Sequence, residues 1–214
     1  MASPFVAIVA GVNVAYGITG RPFAHDPIEQ LPPYMTEYGT VLAVGASMAT
    51  IAWVGLALFA AGLVVSSWVA RRGHIEGWAL VGLVGVVMQN AIFAAVVSTD
   101  VALLARVRAA AEADALLDLW ALHNALMSVN GISLVIVLVG FSLAILRTGL
   151  APHWLAGAGL VAAALILTGP LQVAAGAQGT NAVGPFLVGF VIWLAWVGVL
   201  GTRMMLGRTS QPGR

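Results

Sequence analysis

Six apolar stretches constrain the fold of this chain more than any other feature. They lie at about residues 3–20, 40–70, 77–99, 119–146, 154–173 and 184–202. Each approaches or exceeds the roughly 20 residues that a helix needs to cross the bilayer core, where a backbone must satisfy its own hydrogen bonds. The sequence therefore predicts an all-α, polytopic membrane helical bundle of about six transmembrane helices. Residues 1–208 would form a single transmembrane domain and residues 209–214 a disordered tail.

The arginines predict which side of the membrane each connector faces. The connectors at 21–38 and 100–118 carry three arginines together with acidic residues. The remaining six arginines follow the second, fourth and sixth spans and are Arg71, Arg72, Arg147, Arg203, Arg208 and Arg214. Because cytoplasmic loops are enriched in basic residues, the connectors with these six arginines are expected to be cytoplasmic, with both chain termini on that side.

The external connector at 100–118 has a helical pattern of apolar residues. Arg108 and Glu112 are four residues apart, a spacing that supports a helix. Two arrangements fit this pattern. The segment is either a helix on the membrane surface or a pair of helical extensions of the neighbouring spans.

The composition excludes several classes of function. The chain is 61% hydrophobic and 8% charged, with a formal net charge of +1, so nucleic acid is not expected as a partner. It contains no cysteine and no lysine, which excludes disulfides, thiolate catalysis and Schiff-base chemistry. The strong use of alanine, glycine and valine is typical of GC-rich bacterial genomes. We therefore expect a multi-pass protein of the bacterial cytoplasmic (inner) membrane.

The fourth span is the most polar, since its first third contains His123, Asn124, Ser128 and Asn130. At 100° per residue, His123, Met127 and Asn130 fall on one stripe of the helix. The opposite side is apolar and consists of Leu122, Leu126, Val129, Ile132 and Ile136. This pattern predicts that the polar stripe faces protein and the apolar side faces lipid.

Neutral polar residues occur at similar depth in other spans. Asn13 lies roughly 12 Å below Arg21 along a helix, and Asn90, Asn130 and Thr168 fall at comparable depths. We therefore predict that Asn90, Asn130 and Thr168 face one another in a neutral polar layer. This layer either packs helices through hydrogen bonds or binds a ligand. Its candidate ligand-binding residues are Asn13, Gln89, Asn90, Asn124, Asn130 and Thr168, and its expected external roof is His123 with Glu37, Asp100 and Asp118.

His123 is followed by Asn130-Gly131, an unbroken apolar span, a short basic turn and another span. In this order residues 119–173 resemble the haem-binding segment of the styrene oxide isomerase family. The resemblance implies that His123 is an axial ligand of haem b and that Asn130 contacts an epoxide, which the iron opens and isomerises. Asn130 is seven positions after His123, where the family's asparagine is six positions after its histidine. The family's tyrosine on the following span has no counterpart.

The overall layout carries a second resemblance through the turn Pro152-His153-Trp154-Leu155. With this turn the chain resembles uncharacterised six-span bacterial integral membrane proteins of unknown function. That family implies no activity.

The spans lack the residues of several common membrane functions. No carboxylate or arginine lies deep in any span, so proton-coupled transport and charge-ring ion selectivity lack their usual groups. We expect a protein that binds a lipophilic small molecule at the neutral polar layer near the outer leaflet. One alternative is an intramembrane isomerase with His123 and Asn130 as catalytic candidates and haem b as cofactor. Another is a structural subunit of a membrane complex, and a homo-oligomer is also left open.

Overall fold

The computed structural model describes residues 2–22, 26–109, 113–171 and 184–209. Within these ranges the chain forms six α-helices and no β-strand. The helices are α1 (Ala2–Thr19), α2 (Leu31–Ala70, preceded by a 3-10 turn at Ile28–Gln30), α3 (Gly77–Arg108), α4 (Ala113–Thr148), α5 (His153–Leu171) and α6 (Gly184–Thr209). The helices α2 to α6 are long and apolar enough to cross a membrane, and α1 is a shorter apolar helix. The predicted all-α fold is thus confirmed, with five of the described helices long and apolar enough to cross a membrane. The expected disordered tail lies outside the described residues from 210 onward, whereas Thr209 ends α6.

The six helices form a closed ring. Each packs against the next along the chain, and α1 also packs against α6. At this closure the ring centroids of Phe5 and Trp193 lie 5.7 Å apart. Inside the ring, Phe59 of α2 contacts both Phe141 of α4 and Trp196 of α6, with centroids 6.5 Å apart in each pair. Large side chains therefore fill the interior where these three helices meet.

Glycines set the distance between α3 and α4, the most extensively packed pair of helices. A Cβ added to Gly85 would lie 2.6 Å from the backbone nitrogen of Val137, and one added to Gly140 would collide with the backbone of Gly82. A backbone cannot move aside as a flexible side chain can, so any larger residue would separate the helices. Of the described helices that are long enough to cross a membrane, α4 has the largest share of its apolar segment buried inside the bundle.

Three helices extend beyond the ring at the end where α1 terminates. The helices α2, α3 and α4 contain 40, 32 and 36 residues, against the roughly 20 that a crossing requires. Their extra turns share a second apolar cluster, which we call the helical cap and which consists of Leu31, Tyr34, Met35, Leu42, Leu103, Leu104, Leu116 and Trp120.

The cap corrects two expectations about helix boundaries. Of the two arrangements predicted for residues 100–118, the helical extensions are confirmed and the separate surface helix is wrong; residues 110–112 lie outside the described ranges. The second span begins at Leu31 instead of near residue 40. Pro32 and Pro33 fit there, because the first turn of a helix needs no backbone hydrogen-bond donors.

At the opposite end of the bundle, Glu76 joins two turns between helices. Its carboxylate oxygens lie 3.8 Å from Arg71 and 3.8 Å from Arg147, and its side chain is 4% exposed. The same side chain caps α3 by accepting a hydrogen bond from the backbone nitrogen of Trp78 at 3.4 Å. A buried carboxylate requires such partners. Two arginines that the sequence assigned to one side therefore meet at one end of the bundle.

The polar stripe predicted on α4 is buried at His123 and Asn130 but not at Met127. His123 and Asn130 are buried, while Leu122, Val129 and Ile132 are exposed on the surface of the bundle. Met127 is 41% exposed although it was predicted on the stripe. Pro170, near the end of α5, packs at Gly131 of α4. Met127 lies one helical turn from Gly131 on α4.

Candidate functional site

An ionic cluster of Arg21, Asp100 and His123 lies beneath the helical cap. These residues come from the segment after α1, from α3 and from α4. The Nη2 atom of Arg21 is 2.6 Å from Oδ1 of Asp100, and Nδ1 of His123 is 3.2 Å from the same oxygen. The three side chains are only 16%, 11% and 6% exposed. Asp100 lies roughly 36 Å along α3 from Glu76, slightly more than the thickness of a bilayer core.

The hydrogen bonds of the cluster favour one tautomer of His123. Nη2 of Arg21 also lies 3.3 Å from Nε2 of His123. Because a guanidinium group can only donate, this contact fits a neutral ring that carries its proton on Nδ1. That Nδ1 proton faces Asp100 and the hydroxyl oxygen of Thr99, which is 3.1 Å away and donates its own proton to the carbonyl of Val96. The Nδ1 proton of His123 and the hydroxyl proton of Thr99 therefore each face an acceptor.

Aromatic rings surround the ionic cluster on two sides. Trp120 stacks on the ring of His123 with centroids 5.2 Å apart and an angle of 8° between the planes. The guanidinium carbon of Arg21 lies 4.8 Å from the ring centre of Tyr16, a distance at which cation–π attraction operates. These contacts exclude water from the charges and so strengthen their interactions.

The surroundings of His123 do not fit the haem that the resemblance implies. An axial ligand must present a free imidazole nitrogen to the iron. Here Nε2 accepts from Arg21, Nδ1 faces Asp100 and Thr99, and Trp120 covers the ring. We therefore derive no chemistry through haem.

Two residues of the predicted neutral polar layer do meet. The hydroxyl of Ser133 lies 2.8 Å from Oε1 of Gln89 and 2.6 Å and 3.2 Å from the backbone carbonyl and Oδ1 of Asn130. All three residues are buried between α3 and α4. The hydroxyl has one proton, so it donates to one of these acceptors at a time. This group links two helices by hydrogen bonds.

Within the described helices, no hydrogen bond joins Asn90, Asn130 and Thr168 to one another, so their convergence stays a prediction. Asn90 donates to the backbone carbonyl of Trp53 at 3.2 Å, which joins α3 to α2. Thr168 donates to the carbonyl of Leu165 within its own helix. The remaining predicted residues are also separate: Asn13 donates to Val9 within α1, and the half-buried Asn124 accepts a hydrogen bond from Ser128 through its backbone carbonyl. These hydrogen bonds join each residue to a different partner and do not connect the candidate residues into one network. Of the expected roof, Asp100 reaches His123, whereas Glu37 and Asp118 are exposed.

An uncharged groove lies between α1 and α2, next to the ionic cluster. Its volume is about 320 Å³, and it is lined by Gly11, Val12, Ala15, Tyr16, Thr40, Val41, Val44 and Gly45. Gly45 permits the close approach of the helices, because a Cβ there would lie 2.6 Å from the hydroxyl oxygen of Tyr16. Tyr16 therefore contacts both the groove and Arg21. We call this feature the α1/α2 groove.

Sequence reasoning identified His123 but missed its hydrogen bonds to Arg21 and Thr99. It also missed the α1/α2 groove. The sequence places Arg21 in a connector, and which connector lies over which helix depends on the order of the helices around the ring. One signal was available. Arg21 and Asp100 have opposite charges and follow the first and third spans at the same end of the bundle, at the height of His123.

Comparison with known proteins identifies no relative: no family model, curated protein or solved structure matches the chain. The resemblances seen in the sequence therefore stay predictions.

Proposed function

We propose that the protein binds a lipophilic small molecule in the outer leaflet of the bacterial cytoplasmic membrane. The α1/α2 groove is the proposed site, in place of the neutral polar layer. The observation that supports this most is that none of its eight lining residues is charged. Ligand pockets commonly range from about 300 to 1,000 Å³, so a groove of about 320 Å³ suits a small or narrow molecule.

The walls of the groove indicate the chemistry of the ligand. Six of the eight lining residues are glycine, alanine or valine, and the two hydroxyl groups belong to Tyr16 and Thr40. A hydroxyl can donate and accept a hydrogen bond but cannot neutralise a charge. The ligand is therefore apolar over most of its surface and has at most one or two neutral polar groups. Val44 is 55% exposed, which leaves the groove accessible from the lipid phase.

The membrane orientation is part of the same proposal. We infer six crossings, with α1 as the first, both termini cytoplasmic, and Arg71, Arg147 and Arg203 at the cytoplasmic boundary. The enrichment of arginine at that end supports this assignment. Arg21 then lies at the external boundary, and residues 11–16 lie roughly 8 to 15 Å below it along α1. This depth corresponds to the outer leaflet.

A pair of glycine variants in α1 tests the proposal. Gly11 lines the groove and Gly17 does not, and an added Cβ meets nothing within 4 Å at either position. Gly11→Leu should fill the groove without disturbing the helix, and Gly17→Leu is the matched control. Native mass spectrometry of protein released from mild detergent should show a bound small molecule in the wild type and in Gly17→Leu, and its loss in Gly11→Leu. Equal occupancy in both variants would contradict the groove as the site.

The alternative functions have less support. A haem-dependent isomerase with His123 and Asn130 as its catalytic residues requires a free nitrogen on His123, and both nitrogens are engaged. A structural subunit of a membrane complex would copurify with a fixed protein partner, and the same mass spectra would reveal that partner or a homo-oligomer. Binding of a lipophilic molecule in the α1/α2 groove requires neither a free nitrogen on His123 nor a fixed protein partner.

A further inference from the structure

A second cavity lies at the arginine-rich end of the bundle, between the α4–α5 turn and α6. Its volume is about 780 Å³, and it is lined by Gly149, Leu150, Ala151, Pro152, His153 and Arg203. Gly149 has a φ of 68°, which reverses the chain directly after α4. The turn thus forms an apolar wall, and His153 and Arg203 are the polar side chains of the cavity.

Arg203 is available for a ligand because the nearby carboxylate is already engaged. At this end of the bundle Glu76 is the one acidic side chain in the described part of the chain, and both of its oxygens face Arg71 or Arg147. Arg203 makes no ion pair within the described ranges, and its side chain is exposed. His153 is exposed as well. The cavity therefore presents an uncompensated guanidinium and an imidazole, both of which can donate hydrogen bonds.

We propose that this cavity binds a phosphate group, carried either by an anionic lipid headgroup or by a soluble phosphate. A guanidinium group donates two parallel hydrogen bonds to phosphate oxygens, and His153 donates a third. The surroundings favour the lipid source. Trp154, next to His153, is 59% exposed at the level where tryptophan meets lipid headgroups. Leu150, Ala151 and Pro152 line the same cavity and can contact the glycerol and first methylene groups of a lipid.

This inference is independent of the proposed function. The cavity and the α1/α2 groove share no lining residue and are formed by different helices. Loss of a ligand from one site therefore leaves the other unaffected.

The test measures the binding of defined lipids to the full-length protein in a neutral detergent. Phosphatidylglycerol should raise the midpoint of thermal unfolding more than phosphatidylcholine does, because the choline cation of the zwitterionic lipid offsets the charge of its phosphate beside Arg203. Arg203→Gln should weaken the apparent affinity for phosphatidylglycerol about tenfold, as expected for a lost hydrogen bond to a charged group. The matched control is Arg72→Gln, since Arg72 is exposed at the same end and does not line the cavity. It should retain wild-type affinity.

Inorganic phosphate distinguishes the two sources of the ligand. If millimolar inorganic phosphate raises the unfolding midpoint and competes with phosphatidylglycerol, the cavity serves a soluble phosphate. If it does neither while phosphatidylglycerol binds, the ligand is a lipid headgroup. His153→Gln provides a second variant with an expected partial loss of affinity. Equal weakening by Arg203→Gln and Arg72→Gln would show diffuse attraction between charges and overturn the proposal, as would the absence of any effect of either phosphate compound.

Discussion

The substitution Asp100→Asn perturbs the ionic cluster at its centre. It keeps the shape of the side chain but removes the charge that faces Arg21 at 2.6 Å and the Nδ1 atom of His123 at 3.2 Å. Arg21 would keep its charge in a site where its side chain is 16% exposed. The variant therefore leaves a desolvated guanidinium without its counter-ion.

The expected loss of stability can be estimated from the burial of this pair. A hydrogen bond to a charged group contributes about 1.5 to 3 kcal/mol, and breaking a fully buried ion pair costs about 3 to 5 kcal/mol. The exposed fractions of 16% and 11% place the pair close to the buried case. We expect Asp100→Asn to lower the free energy of unfolding by about 2 to 4 kcal/mol. Asp118→Asn is the matched control, since Asp118 is exposed on α4, and it should change stability by less than about 0.5 kcal/mol.

The assay is equilibrium unfolding by sodium dodecyl sulfate in mixed micelles, followed by tryptophan fluorescence. A double-mutant cycle with Arg21→Gln isolates the energy of the pair from the separate effects of each residue. Because the two side chains are in direct contact, a coupling energy of about 1 to 3 kcal/mol is expected. A coupling below about 0.5 kcal/mol, or equal effects of Asp100→Asn and Asp118→Asn, would refute the view that this cluster holds α1 against α3 and α4.

Three further predictions address packing, the polar group and topology. Gly85→Ala should destabilise the protein by about 1 to 3 kcal/mol, because the added Cβ meets the backbone of α4. The control is Gly157→Ala, where an added Cβ meets nothing within 4 Å. In the same unfolding titration it should be neutral or stabilising. Ser133→Ala should cost about 0.6 to 1.7 kcal/mol, the range found for hydrogen bonds between membrane helices; no change would mean that the group contributes nothing to packing. The chain has no cysteine, so Gln30→Cys should react with an impermeant maleimide in intact cells and Ser210→Cys only after permeabilisation. Labelling of Ser210→Cys in intact cells would reverse the orientation.

The fold class could be predicted because membrane helices follow from local sequence. Span length and apolar composition fix the helices one at a time, without knowledge of their neighbours. The ends of the helices were harder to predict. The extra turns of α2, α3 and α4 contain polar residues that resemble a connector, and they remain helical because Leu31, Leu103 and Trp120 share an apolar cluster at the cap. That cluster depends on contacts between helices far apart in sequence.

The site could be predicted only in part for the same reason. The burial of His123 and Asn130 followed from the period of α4 alone. The partners of His123 depend on how the ring closes, which decides that Arg21 after α1 reaches α3 and α4. The hydrogen-bond partners of the polar layer could not be predicted, because equal depth does not imply a shared partner. Asn90 donates to α2, whereas Asn130 accepts from Ser133 of its own helix, which also donates to Gln89 of α3.

The most direct test of the central claim is photo-crosslinking from the α1/α2 groove in living cells. The photoreactive residue p-benzoylphenylalanine would replace Val44, which lines the groove, or Val54, which is exposed on the same helix outside it. Mass spectrometry of the purified adducts then identifies what occupies each position. If the groove binds a specific lipophilic molecule, the Val44 position should yield one dominant small-molecule adduct and the Val54 position only bulk phospholipids. The same phospholipid mixture at both positions would contradict the proposed function.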